Sequence, residues 1–216
     1  MMRGRSPVAV HARRERTPLL LIAMLAAMAG DAARASAQSV PPGAPSNAVR
    51  AARVTGGTLA FEANATTGPF EGTTTTVQGE VRPAPPPAIA TGWVSFAART
   101  LKTGRGMRDR HMLGSLEAEA HPEIRLAVER VTPTATAGDT TRATVTGTLT
   151  IKGISRPVEV PAVVVRNATG YALTARFPID LRDWKVSGLS RLLGAVKMDP
   201  AVTIRVELAF GFEGGG

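Results

Sequence analysis

Between Thr58 and Phe212 the apolar residues recur at every second position, and this period constrains the fold more tightly than any other feature of the chain. Two runs show it best. Tyr171, Leu173, Ala175, Phe177 and Ile179 oppose Thr174, Arg176 and Asp180, while Val202, Ile204, Val206, Leu208 and Phe210 oppose Thr203, Arg205 and Glu207. Successive side chains of an extended strand point to opposite faces, so each run reads as a strand with one greasy face and one charged face.

Six earlier runs follow the same rule. Leu59, Phe61, Ala63 and Ala65 share one face, and Val77 and Val81 lie in a second strand expected to join the first through Gly68-Pro69. Val94 pairs with Phe96 on one side of the next strand, and Ile124, Leu126 and Val128 do so in the one after. Val145, Leu149 and Ile151 alternate with Thr144, Thr146, Thr148 and Thr150, and β-branched residues on the polar side favour extended backbone without needing burial. Val158 and Val160 begin a run that Pro157 and Pro161 mark as irregular or peripheral, because proline cannot donate to a ladder. Eight strands in hairpin-like succession predict an all-β fold, an eight-stranded antiparallel barrel closed on itself. Two stretches depart from the period. Met107 to Ala120 has the spacing of a short helix covering an apolar opening, and Val186 to Lys197 is expected as a second short helix or an apolar loop.

Outside the alternating region the chain reads differently. Arg13, Arg14 and Arg16 precede an apolar run from Leu19 to Ala29, and small residues follow, the order of an export signal; cleavage is expected after Ala37. The apolar run is shorter than the ~20 residues a spanning helix needs, so stable membrane insertion is not expected. Residues 38–57, with Pro41-Pro42-Gly43-Ala44-Pro45, read as a flexible leader, 58–212 as the barrel domain and 213–216 as a disordered tail. The formal charge of +9 could suggest nucleic acid, but residues 1–37 carry +4 of it, and the rest is interspersed with acids and poor in aromatics. A nucleic-acid partner is therefore not expected. The absence of cysteine removes disulfides, thiolate metal sites and a lipidated cysteine, and leaves stability to the core. Periplasmic or secreted location is the expectation.

Several segments, in order and spacing, resemble the YceI-like family of lipid-binding, lipocalin-like barrels. They are Leu101-Lys102-Thr103-Gly104, Arg108-Asp109-Arg110-His111-Met112, His121-Pro122-Glu123-Ile124, Gly147 to Val158, and Phe177-Pro178-Ile179-Asp180-Leu181-Arg182-Asp183-Trp184. The resemblance implies a barrel with one or two short covering helices around an apolar tunnel, a polyisoprenoid or similar long-chain lipid as ligand, and no enzymatic activity. The inward residues expected to line such a tunnel are Leu59, Phe61, Val94, Phe96, Leu126, Val128, Leu149, Leu173, Phe177, Ile204 and Leu208. Alternatively, the same side chains pack against one another and fill the barrel.

At the tunnel mouth, Arg105 and Arg108, with Asp109, His111 and Met112, are candidates to meet a lipid head group, because guanidinium donors suit phosphate. The competing reading pairs Arg108 or Arg110 with Asp109, Glu117 or Glu119 to hold the helical cover. His111 and His121 lack a third ligand motif, and Asp109 and His111 lack a nucleophile signature, so neither a metal, a cofactor nor a catalytic residue is expected. Trp184 is expected to seal a barrel end. Two rivals remain: an outer-membrane barrel, which alternates in the same way with its apolar face outward, and an enzyme acting on a lipid through Asp109 or His111. The oligomeric state, a homodimer among the options, is not fixed by these residues.

Overall fold

The computed structural model describes residues 49–186, 190–191 and 196–212. The export signal, most of the leader and the tail at 213–216 lie outside the described residues, as does part of the Val186 to Lys197 stretch. The first strand, β1 (Ala52–Ala65), runs into β2 (Gly68–Thr74), then β3 (Gln78–Pro83) and β4 (Ala90–Ala97). A helix, α1 (Gly106–Ser115), interrupts the strands before β5 (Glu123–Ala137), β6 (Thr140–Ile151), β7 (Ile154–Arg166) and β8 (Gly170–Asp180). A 3-10 turn at Leu181–Trp184 follows, then the short strands β9 (Ser190–Arg191) and β10 (Val196–Lys197), and finally β11 (Ala201–Phe212).

All pairings are antiparallel, and β11 returns to β1, with Leu59 opposite Val206 and Phe61 opposite Ile204. On its other edge β1 pairs with β2 over Leu59–Ala65 and with β3 at Ala52 and Arg53. These two segments occupy successive stretches of one position, so nine paired segments close as an eight-stranded barrel. Closure pairs most of the sheet edge that could otherwise template aggregation.

Three boundaries differ from the sequence reading. Gly56-Gly57 looks like the end of a leader, yet β1 already begins at Ala52 and carries a register shift between Val54 and Gly56. Gly57 has φ +128°, and a Cβ there would lie 2.1 Å from the Glu207 carbonyl oxygen, so the glycine permits an irregular strand rather than ending a linker. Gly68-Pro69 likewise starts β2 instead of joining strands, and Val77 falls between β2 and β3. Between Val186 and Lys197, β9 and β10 pair antiparallel where a short helix or an apolar loop was expected.

Pro157 and Pro161 lie in β7, which pairs with β6 along its whole length but with β8 only from Ala162 to Arg166. The prolines thus occupy the half of β7 that has no ladder partner on that side. The Leu181–Trp184 turn lies against this half instead: Arg156 Nε donates to the Asp183 carbonyl at 2.9 Å, and Lys152 Nζ to the Lys185 carbonyl at 3.0 Å. Trp184 is buried and its Nε1 donates to the Leu149 carbonyl at 3.1 Å, which seals this end of the barrel as expected.

The two faces of the wall are chemically opposite. Outside, Glu62 receives Arg176 at 2.6 Å and Arg205 at 3.0 Å, and Arg205 also reaches Glu71 at 3.1 Å, linking β2, β1, β11 and β8. The apolar residues face inward. An outer-membrane barrel has the reverse arrangement, since charges on a lipid-facing wall are strongly destabilising.

Candidate functional site

Inside the barrel lies a cavity of about 520 Å³, within the ~300–1,000 Å³ range of small-molecule sites. Leu59, Phe61, Val94, Phe96, Leu126, Val128, Leu149, Leu173, Phe177, Ile204 and Leu208 all line it. Period-two alternation alone brings these residues together, because each strand contributes every second side chain to the interior. The burial of those side chains distinguishes a cavity from a filled core. Leu59, Phe61, Leu126, Leu173 and Ile204 point inward yet remain only partly buried. In an interior packed to ordinary density such side chains would be sealed by neighbours, as Phe96, Phe177 and Phe210 are; these five border open space.

The two ends of the cavity differ. Val81, Val94, Leu208 and Phe210 line the far end, and Tyr171 and Phe212 belong to the same apolar cluster. Their rings meet edge to face at 5.1 Å, Arg50 lies 4.4 Å from the Phe212 ring centroid, and the Arg50 amide donates to the Tyr171 hydroxyl at 2.9 Å. These contacts gather Arg50, Tyr171 and Phe212 beside the far end. At the other end α1 supplies Met107, Arg108, His111, Met112 and Ser115 to the lining, with Arg105 at its N-cap. Met107 is 65% exposed, so the cavity meets solvent beside it.

Both ends of α1 are tied to the wall. At its start, Lys102 and Thr73 exchange backbone hydrogen bonds of 2.9 Å, which fastens the entry loop to β2. Arg108 lies 4.2 Å from the ring centroid of Phe70, itself edge-on to Phe61. Past its end, Leu116 is buried, and Glu117 takes Lys152 at 2.8 Å, joining the cover to the β6–β7 turn. Met112 and Leu113 pack on the core from above.

Four of the five mouth candidates, Arg105, Arg108, His111 and Met112, reach the cavity, and Asp109 does not. Its Oδ1 accepts from the Thr103 hydroxyl at 2.6 Å and the Thr103 amide at 2.8 Å. The Thr103 hydroxyl bond and then the amide bond hold the Asp109 carboxyl below its ordinary pKa, with smaller help from Lys102 and Arg108. The expected pairing of Arg108 or Arg110 with Asp109, Glu117 or Glu119 is not formed: among the described residues no carboxylate lies within ion-pair distance of Arg105, Arg108 or Arg110. Arg108 stacks on Phe70 instead, a contact hidden from the sequence because it joins α1 to a strand that reads as a turn. Met107 and Phe70 were likewise not foreseen as mouth residues.

Comparison with known proteins places this architecture. No curated protein sequence matches the chain. Among solved structures, the fold resembles BcnA of Burkholderia cenocepacia, with a TM-score of 0.61 and 21% identity over 71% of this chain and 95% of that one. It also resembles a polyisoprenoid binding domain from Saccharophagus degradans implicated in plant cell wall breakdown, with a TM-score of 0.62 and 15% identity over 76% of this chain and 99% of that one. The model of the YceI-like domain matches residues 50–210. That span takes in the wall strands from β1 to β8, β11 as far as Phe210, the whole cavity and its cover, and the chain belongs to the YceI-like family.

Proposed function

We propose that this protein is an exported carrier that holds a polyisoprenoid or similar long-chain amphiphile inside the barrel without transforming it. The observation that carries this reading is the incompletely buried apolar wall around an open interior. Each methylene removed from water contributes about 0.8 kcal/mol, so a long chain binds such a wall without special polar contacts. The likeness to a polyisoprenoid binding domain supports the ligand class. Arg105 and Arg108, with no carboxylate within ion-pair distance among the described residues, are suited to a phosphate or pyrophosphate at the mouth, flanked by His111 and Met112. Asp109 is occupied with Thr103, which argues against a role for it in proton transfer. The amino-terminal basic, apolar and small-residue order supports periplasmic or secreted location, where transport, storage or stress protection are the roles a carrier serves.

The test is native mass spectrometry and lipid extraction of the full chain, expressed with its own amino terminus and purified without detergent. A long-chain lipid of intact mass is expected, at one per barrel. Val160→Phe, which fills the cavity from β7, should abolish retention while leaving the strand spectrum unchanged. A folded wild-type barrel that carries no lipid and takes up no added polyprenyl phosphate would remove the proposal. Recovery of a chemically altered polyprenyl phosphate would replace the carrier with an enzyme.

A further inference from the structure

Among the described residues the large apolar side chains that stand exposed are Val165 at 39% and Met107 at 65%. A single exposed methionine is ordinary. The surroundings of Met107 are not. It sits in the first turn of α1 at the cavity rim, while Met112 and Leu113 of the same helix pack on the core. Arg110 and His111 lie three and four positions further on, so they flank Met107 on one helix surface. Lys102 and Arg105 precede it, and all four of these flanking residues are exposed. From Lys102 to Ser115 the chain carries four basic side chains and one carboxylate, a net of +3. That carboxylate is Asp109, which is engaged by Thr103. By contrast, on the outer wall Arg176 and Arg205 are held by Glu62 and Glu71.

An apolar tip ringed by cations in ion-pair contact with no described carboxylate fits the boundary of an anionic bilayer, where the methionine enters between head groups and the cations meet negative charge. An acidic protein would satisfy the cations but gives no reason for the exposed methionine or for the cavity opening at the same spot. We propose that the α1 end of the barrel docks reversibly on a bilayer of anionic phospholipid, so that the cavity opens against lipid instead of water. The purpose of this docking rests on the carrier reading, since a ligand could then pass between bilayer and cavity without crossing solvent. The contact itself needs only the outer surface of α1 and its entry loop.

Vesicle flotation of the full chain tests it, with phosphatidylglycerol–phosphatidylcholine vesicles beside phosphatidylcholine alone. Wild type should bind the first and not the second, and about 0.5 M salt should release most of it. Lys102→Glu with Arg110→Glu, neither on the cavity lining, should lower the partition coefficient at least about thirtyfold, from ~1 kcal/mol per basic residue. Met107→Ser should weaken the binding that survives salt. Arg130→Glu with Arg142→Glu makes the same change in charge on exposed positions of β5 and β6, and should leave binding within about twofold of wild type. Failure of the wild type to bind phosphatidylglycerol vesicles, or equal loss in both double variants, overturns the proposal. Co-purified lipid is measured on each sample. A loaded barrel that ignores vesicles defeats docking alone, and an empty, lipid-refusing barrel that still binds through Lys102 and Arg110 defeats the carrier reading alone.

Discussion

The ammonium of Lys152 lies 2.8 Å from the carboxylate of Glu117, and the pairing is asymmetric: the Lys152 side chain is 12% exposed and that of Glu117 50%. Lys152 also donates to the Lys185 carbonyl. One nearly enclosed cation therefore joins three pieces of one barrel end: the residues after α1, the β6–β7 turn and the residues after the Leu181–Trp184 turn. Removing it takes the donor from both Glu117 and the Lys185 carbonyl, whereas Glu117→Gln keeps an amide oxygen that still accepts from the ammonium. Lys152→Met is expected to cost about 1–2 kcal/mol and Glu117→Gln about 0.5 kcal/mol or less. Chemical denaturation of the two variants checks the order, and an equal loss would contradict it.

Trp184 separates sealing from binding. It is 2% exposed and anchored to the Leu149 carbonyl, yet it does not line the cavity. Trp184→Phe keeps most of the buried ring and loses the hydrogen bond, for an expected cost of about 1 kcal/mol. Trp184→Ala should cost about 3–5 kcal/mol. Lipid content per folded Trp184→Phe barrel should equal that of wild type by mass spectrometry, and a drop would make Trp184 part of the binding wall.

How much of this was legible follows from which signals are local. The strand faces were, because alternation is written into each segment by itself: Val145, Leu149 and Ile151, or Val202, Ile204 and Leu208, reach the interior whatever their neighbours do. β2 was hidden. Its sequence, GPFEGTT, reads as a turn by composition, and it forms a strand because β1 supplies an edge from Leu59 to Ala65. Gly72 sits opposite Phe61, and a Cβ there would lie 2.2 Å from the phenyl ring, so the missing side chain makes room for an aromatic that lines the cavity. That is a long-range packing reason, invisible in the segment. At the mouth, residue types gave Arg105, Arg108 and His111, but the partner of Asp109 depended on the fold of the Lys102-Thr103-Gly104 loop. Openness of the interior was not legible in the alternation, which serves a filled barrel equally, and was expected only from the family resemblance.

The glycine pair in β1 offers a direct test of where the barrel begins. A Cβ on Gly56 would meet nothing within 4 Å, whereas one on Gly57 would meet Glu207 backbone at 2.1 Å in a conformation, φ +128°, that side chains rarely adopt. Gly56→Ala should therefore be neutral or stabilising by up to ~1 kcal/mol, through a less flexible unfolded chain. Gly57→Ala should cost about 2–4 kcal/mol from strain and the forced shift of β11. In a flexible leader the two would be equivalent, so thermal unfolding of the pair decides between leader and strand.

Acid should release the cover of the cavity before it unfolds the wall. The Asp109 carboxyl accepts both Thr103 donors most strongly when ionised, and its folded pKa lies below the ordinary 3.8 because those bonds favour the charged form. A depressed carboxyl pKa contributes stability that is present above the unfolded value and is lost as the pH falls through the folded one. The latch between the entry loop and α1 is thus at full strength at pH 5 and weakens only as the pH falls below 3.8. The Thr103 amide resonance, followed by NMR, should titrate with a midpoint below 3.8, while amides of β6 and β11 hold their shifts until lower pH. In Asp109→Asn, which has no carboxylate, that step should vanish and α1 should exchange its amide hydrogens faster at neutral pH. A Thr103 midpoint above 3.8 would mean that the carboxylate is not held by these bonds, and the mouth would then need another account of how α1 stays seated over it.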